Sequence, residues 1–261
     1  MARWVERRRS RSALFSRRLA VFFLPVILIA GASHRFGIIS TPALLTTLSI
    51  SWAAFGVALV AGLVGLSRIW EQGIDGLGDA IVGILLGGVM LVPPAYMAFL
   101  VLQLPLLNDI STDTVNPPPL TSAAALRPDD AGSTAYPGAR AAVLQQEAYP
   151  QLRTYRSALS PEDTFDAVIA VINAKGWTIS AQSAPVGEGE VGSVEAVATS
   201  RILGFADDVA VRITPDGDGA LVDIRSASRY GLHDLGANAR RVRDFLFALR
   251  EEIAPTSGGE R

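Results

Sequence analysis

Between residues 19 and 107 the chain is almost uninterrupted apolar sequence, broken by charged or imidazole side chains only at His34, Arg35, Arg68, Glu71, Asp75 and Asp79. A helix of about 20 apolar residues crosses a hydrocarbon layer of about 30 Å. Residues 44–66 and 80–104 each meet that length with no charged side chain, and the Pro93-Pro94 pair predicts a kink in the second. Residues 19–33 are shorter, about 22 Å of helix at 1.5 Å per residue. Two readings fit them. Arg17 and Arg18 can snorkel to extend a true span, or the segment is the apolar core of a signal peptide with a cleavage site at Ala30-Gly31-Ala32. The expected arrangement is a membrane region over 19–107 with about three transmembrane helices, at 19–33, 44–66 and 80–104. Apolar residues make up 49% of the chain and charged residues only 18%, the excess that such a region demands.

Orientation follows from basic residues in short flanks. Residues 1–18 hold Arg3, Arg7, Arg8, Arg9, Arg11, Arg17 and Arg18 against the single acid Glu6. The later connections have Arg35 or Arg68 alone. A basic tail over 1–18 is therefore expected in the cytoplasm of an inner-membrane, multi-pass protein, with the C-terminal half outside it, in the periplasm of the cell envelope. The two clear spans lack the intramembrane charges that mark ion and proton paths, which argues for anchoring over transport. Their Gly, Ala and Ser content suits close helix packing, so a homo-oligomer through the spans is one possible use. Asp75 and Asp79, in the sequence GIDGLGD, can be read as ion ligands, but a solvated turn explains them more simply.

From residue 108 the composition shifts to Pro, Ser, Thr, Asp and Ala, and Pro117 to Pro119 favour an extended backbone. Residues 108–148 read as an extended connector, either a spacer or a strap, ahead of a domain over 149–253 and a disordered tail over 254–261. Within the domain Ser160-Pro161-Glu162-Asp163 marks a helix start, and Phe165, Val168, Ile169 and Ile172 recur at helical spacing until Lys175-Gly176. Strand-like runs follow at 177–183, 191–199, 207–214 and 220–228. Asp216-Gly217-Asp218-Gly219 signals a hairpin between the last two. A final helix over about 235–251 has Asp234 as its expected N-cap. With a short strand near 152–155, the order is β-α-β-β-β-β-α. The predicted fold is a membrane α-helical region followed by an α+β domain, an antiparallel sheet with helices on one face.

Alternation along the strands separates Val209, Val211, Ile213, Val222 and Ile224 from Asp208, Arg212, Asp223, Arg225 and Arg229. The candidate binding face is Asp208, Arg212, Arg225 and Arg229, joined near the last helix by Ser228, Asp234 and Asn238. Converging arginines bind carboxylate or phosphate through paired N–H donors. Opposite charges on neighbouring strands equally form a ladder of salt bridges. Both readings stay open.

Catalytic signals are weak. Ser226 or Ser228 with His233 and Asp234 supplies the residue types of a triad, but there is no nucleophile elbow. With no cysteine and only His34 and His233 as histidines, no metal site is expected, and Asp207-Asp208 is a poor seed for one. No phosphate loop, dinucleotide fingerprint or nucleic-acid stripe is present, so neither a cofactor nor a nucleic-acid partner is expected.

Several stretches together, LNDISTDTVNPPP, AYPQL, the Gly176-Trp177 pair, GFADDVAVRI and DIRSASRYGLHDLGANARRVRDFL, resemble the DUF1499 family over residues 108–249. The family motif falls on Asp207, Asp208, Arg212, Arg225, Ser226, Ser228, Arg229, Gly231, Asp234, Gly236, Asn238 and Arg240. The resemblance implies architecture and supplies no reaction, cofactor or ligand. The reading preferred at this point is a membrane-anchored extracytoplasmic binding or scaffold module, meeting the lipid bilayer and an anionic ligand or envelope protein. The alternatives are an enzyme on an anionic envelope substrate, with Asp208 or Asp234 as base, and a purely structural membrane subunit.

Overall fold

The structure, a computed structural model, describes residues 8–187 and 189–254. The start of the basic tail and the expected disordered tail, from residue 255, lie outside the described residues. The chain divides into two compact units, Met1–Leu100 with Arg201–Gly204, and Val101–Ser200 with Phe205–Arg261.

The first unit is built on α1 (Arg11–Arg35), α2 (Thr41–Gln72) and α3 (Leu77–Gln103). All three are long and apolar enough to cross a membrane. Ser10 and Ser40 cap the first two by accepting the N–H groups of Ala13 and Ala43. Gly73 ends α2 in the left-handed conformation at φ 63° and returns its N–H to Ile69 O. Helix α1 begins eight residues before the apolar segment predicted from 19, because Ser10 caps it and Arg11, Arg17 and Arg18 are good helix formers. Pro93 and Pro94 lie inside α3.

Small residues let these helices touch. Ser16 Oγ donates to Ala58 O at 2.6 Å. A side chain at Gly65 would reach within 2.7 Å of Ala13 N, one at Gly62 within 2.8 Å of Ser16 Oγ, and one at Gly83 within 1.8 Å of Ser16 Oγ. These glycines are thus used within the chain, between α1, α2 and α3. Asp79 departs from the solvated turn expected of it. It is buried in the first turn of α3, and Arg17 donates to it at 2.8 Å, so it ties α1 to α3.

The second unit adds β1 (Asp109–Ser111), α4 (Thr121–Leu126), α5 (Ala139–Ala148), β2 (Tyr155–Ser157), α6 (Pro161–Ala174), β3 (Thr178–Ser183), β4 (Gly192–Thr199), β5 (Ala206–Asp216), β6 (Gly219–Ser228) and α7 (Ala237–Ile253). The antiparallel sheet runs β3-β4-β5-β6, and β1 and β2 share the far edge of β6. Ser160 caps α6 as its sequence indicates. Gly217, at φ 62°, opens the two-residue turn between β5 and β6. One sheet face, with Val209, Val211, Ile213, Val222 and Ile224, packs on Val168 and Ile172 of α6 and on Val242, Phe245 and Leu249 of α7. Trp177 stacks on Phe245 at 5.8 Å.

Residues 108–148 are not a spacer outside the domain. They contribute β1, α4 and α5, and Ile110 and Ala141 enter the main core. Leu120 and Ala123 cover Ala210 and Ala227 on the second sheet face, and the Glu195 carboxylate accepts the N–H groups of Thr121, Ser122 and Ala123 at the start of α4. The segment is a strap. Its composition looked unstructured because its stability comes from the sheet it crosses rather than from its own periodicity.

The glycine packing carries a test. Gly83→Ala overpacks the α1–α3 approach and should lower the thermal midpoint of the full chain in detergent, at a cost of about 1–3 kcal/mol. Gly88→Ala, where an added carbon meets open space, should leave the midpoint unchanged.

Candidate functional site

Strand register decides which polar side chains meet. Opposite one another on β5 and β6 stand Asp208 and Ala227, Ala210 and Arg225, and Arg212 and Asp223, all facing the strap. Strand β1 adds Asp109 to that face, paired with Ala227. Arg225, 3% exposed, reaches Asp109 two-pronged, Nη2 to Oδ2 at 2.7 Å and Nε to Oδ1 at 3.0 Å. Its remaining N–H groups go to Pro118 O and Thr134 O on the strap, and its guanidinium lies 5.5 Å from the Tyr136 ring centre. Burial pushes the Asp109 carboxyl above the usual carboxylate range even though Arg225 pulls it down.

Asp208, 1% exposed, is held between two guanidiniums. Arg127 Nε donates to one oxygen and Arg229 Nη2 to the other, both at 2.7 Å. Arg212 spans Asp113 and Asp223 at 2.8 and 2.9 Å, and Asp223 also accepts the hydroxyls of Thr112 and Thr154. For Asp113, burial would raise the carboxyl, but the N–H groups of Asn116 and Val115 and the Arg212 guanidinium prevail and hold it low. The strap face is therefore a set of interlocked, mostly buried ion pairs rather than an open charged surface.

Ser228 and Asn238 lie on the opposite side of the sheet. Asn238 accepts from Ser226 Oγ at 2.7 Å and donates to Ser228 Oγ and Asn108 O, both at 2.9 Å. Arg241 bonds Ser226, Asn238 and Asp207. Asp207 sits high for a carboxyl because burial outweighs Arg241. Asp234 is not the N-cap residue by position, since Gly236 at φ 74° takes that place. Its carboxylate nevertheless accepts the N–H groups of Gly236 and Asn238 at 2.8 and 2.7 Å. The single seven-residue face is thus two clusters, one under the strap and one under α7. Residues an odd number of positions apart on a strand point to opposite faces, and Ser228 alternates with Arg225 and Arg229.

Sequence reasoning passed over Asp109, Asp113, Arg127, Tyr136 and Arg241. Arg127 is the one basic residue between 108 and 139, a signal that the strap has a charged counterpart. Two buried atoms in this region have no hydrogen-bond partner, Arg127 Nη2 and Tyr136 Oη. Tyr136 and Arg225 line an open cavity of about 460 Å³ with Pro117, Pro119, Leu120 and Thr134. Burial, ahead of the nearby carboxylates, pushes the Tyr136 hydroxyl up to about 12, so it is a neutral donor at physiological pH. Among the described residues no group of three or more His, Asp or Glu is placed to hold a metal ion.

The signature of DUF1499, described as a protein of unknown function, matches residues 109–249. The chain belongs to this family. The matched region begins at β1, so the strap is part of the DUF1499 domain. Nothing among curated proteins matches the chain. Two solved structures are similar to part of it, CalU16 from Micromonospora echinospora and TTHA0849 from Thermus thermophilus. The first is 16% identical over 39% of this chain and 74% of its own, with a TM-score of 0.23. The second is 11% identical over 40% of this chain and 97% of its own, with a TM-score of 0.21.

If the ion pairs of the DUF1499 domain are structural, removing one partner strands a buried charge. Arg225→Ala should cost about 3–5 kcal/mol in chemical unfolding of the full chain, and Asp109→Leu/Arg225→Met should cost less than that single change. Equal costs would mean that the pair is not what Arg225 stabilises.

Proposed function

We infer that the chain is a membrane-anchored, extracytoplasmic binding module whose DUF1499 domain takes a ligand bearing a carboxylate or phosphate beneath its strap. The observation that carries this reading is the pair of buried, unpartnered groups Tyr136 Oη and Arg127 Nη2, in a face whose other charges are satisfied. Leaving a buried donor unpaired costs about 1–3 kcal/mol, and an acceptor supplied by a ligand removes that cost. A cavity with a few convergent polar groups is the usual form of a small-molecule site.

An enzymatic reading draws no support from the proposed bases. Asp208 is locked between two arginines, and Asp234 is committed to the start of α7. The envelope-facing placement rests on the seven arginines of residues 1–18, before and within the first turns of the first of three helices long and apolar enough to cross a membrane.

Because the chain has no cysteine, orientation can be read from one introduced thiol. Asp218→Cys, in the β5–β6 turn, should react with a membrane-impermeant maleimide in intact cells. Labelling only after lysis would put the domain in the cytoplasm. For binding, the full chain in nanodiscs should gain several degrees of thermal midpoint with one of a panel of carboxylates and phosphate esters, and Tyr136→Phe should reduce the gain. Arg225 variants cannot serve as controls because they disturb the fold. No shift with any compound would favour a protein partner or a structural membrane subunit.

A further inference from the structure

The family motif has a part that the strap site does not use, the loop from Gly231 to Gly236. Hydrogen bonds from this loop and from Ser228 reach the stem that joins α3 to the sheet. Ser228 N donates to Asn108 O and Asp234 N to Leu107 O, Asn108 Nδ2 donates to Gly231 O at 2.6 Å, and the His233 ring meets Leu104 O at 3.3 Å. Helix α3 ends at Gln103. Five residues span at most about 18 Å of chain, so everything clamped to residues 104–108 stays near the end of that apolar helix.

The side chains displayed there differ from those under the strap. Leu106 and Leu232 are 61% and 79% exposed. The stem, the loop and α7 also line a cavity of about 350 Å³, with Leu104, Tyr149, Gly236, Arg240 and Arg243 among its walls. Three groups converge at its floor. A carbon added at Gly236 would lie 3.1 Å from Leu104 Cδ1, 3.6 Å from Arg240 Nη1 and 3.7 Å from Tyr149 Oη. Arg240 makes no ion pair among the described residues, and Arg243 has only its exposed neighbour Asp244, at 3.4 Å. Exposed leucines, an aromatic hydroxyl and uncommitted guanidiniums at the end of a span are the combination that suits a bilayer surface, apolar groups entering the interface and arginines meeting phosphate.

The geometry points to a phospholipid seat: the phosphate of an anionic phospholipid bound by Arg240, Arg243 and the Tyr149 hydroxyl in this cavity, with Leu106 and Leu232 entering the membrane interface. The loop of the motif then sets the domain against the bilayer, and the site is separate from the cavity under the strap.

The test uses the full chain in phosphatidylcholine nanodiscs with rising fractions of phosphatidylglycerol, following amide exchange of residues 229–243. Protection should rise with phosphatidylglycerol. Arg240→Gln/Arg243→Gln should require on the order of tenfold more of it, whereas Arg140→Gln/Arg156→Gln, which removes the same charge elsewhere on the domain, should behave as the parent. Both arginines of the cavity are exposed, so the variant keeps its fold, which unchanged exchange in α6 verifies. Protection indifferent to phosphatidylglycerol, or lost equally in both double variants, overturns the proposal. So does equal protection by inorganic phosphate in pure phosphatidylcholine, which would make this a small-anion site.

Discussion

A charge cannot remain buried and alone, and the second unit of this protein is organised around that constraint. Arg225 and Asp109 are both almost fully covered, and each is covered because the other is there. The Arg225 guanidinium also takes Pro118 and Thr134 carbonyls, so one side chain fastens β1, the proline run and the far end of the strap to β6. Asp208 does the same for Arg127 and Arg229, and Glu195 for the start of α4. Between its ends, where Ile110 and Ala141 enter the main core, the strap's buried apolar contact with the sheet comes from Leu120 and Ala123. A buried pair of this kind gives up in lost hydration much of what it gains in attraction, and burial accordingly raises the Asp109 carboxyl. Its effect is to fix one path for a segment that has little apolar surface of its own.

The two clusters divide the work of the motif. Under the strap, guanidiniums and carboxylates alternate and leave Arg127 Nη2 and Tyr136 Oη unpartnered, the second of them in the wall of a cavity. Under α7, Ser226, Ser228, Asn238 and Arg241 join β6 to the helix, while Asp234 closes the helix start and the loop holds the stem from α3.

Much of the fold was legible. Residues 161–174 read as a helix because Ser160 and Pro161 precede a clean apolar stripe, and the β5–β6 hairpin read from Asp-Gly-Asp-Gly between alternating runs. Helices α2 and α3 read from length and hydropathy alone, whereas residues 19–33 fitted both a span and the core of a signal peptide. What misled was local. The basic residues of 11–18 looked like a tail but continue α1, and Asp79 looked solvated because its partner Arg17 is 62 positions away. Ser228 and Asn238 were grouped with the arginines by proximity in sequence, although alternation already put Ser228 on the other face.

The sequence by itself determined the apolar spans, the antiparallel α+β pattern and the identity of the charged residues, since hydropathy, period and turn chemistry act over a few neighbours. Only the tertiary structure decided that the proline-rich stretch is a strap, which aspartate each arginine holds, and that the motif loop grips the stem below α3. Those outcomes depend on register and on contacts between residues about a hundred positions apart, where the cost of closing the chain is met by burial and charge pairing that no local pattern records.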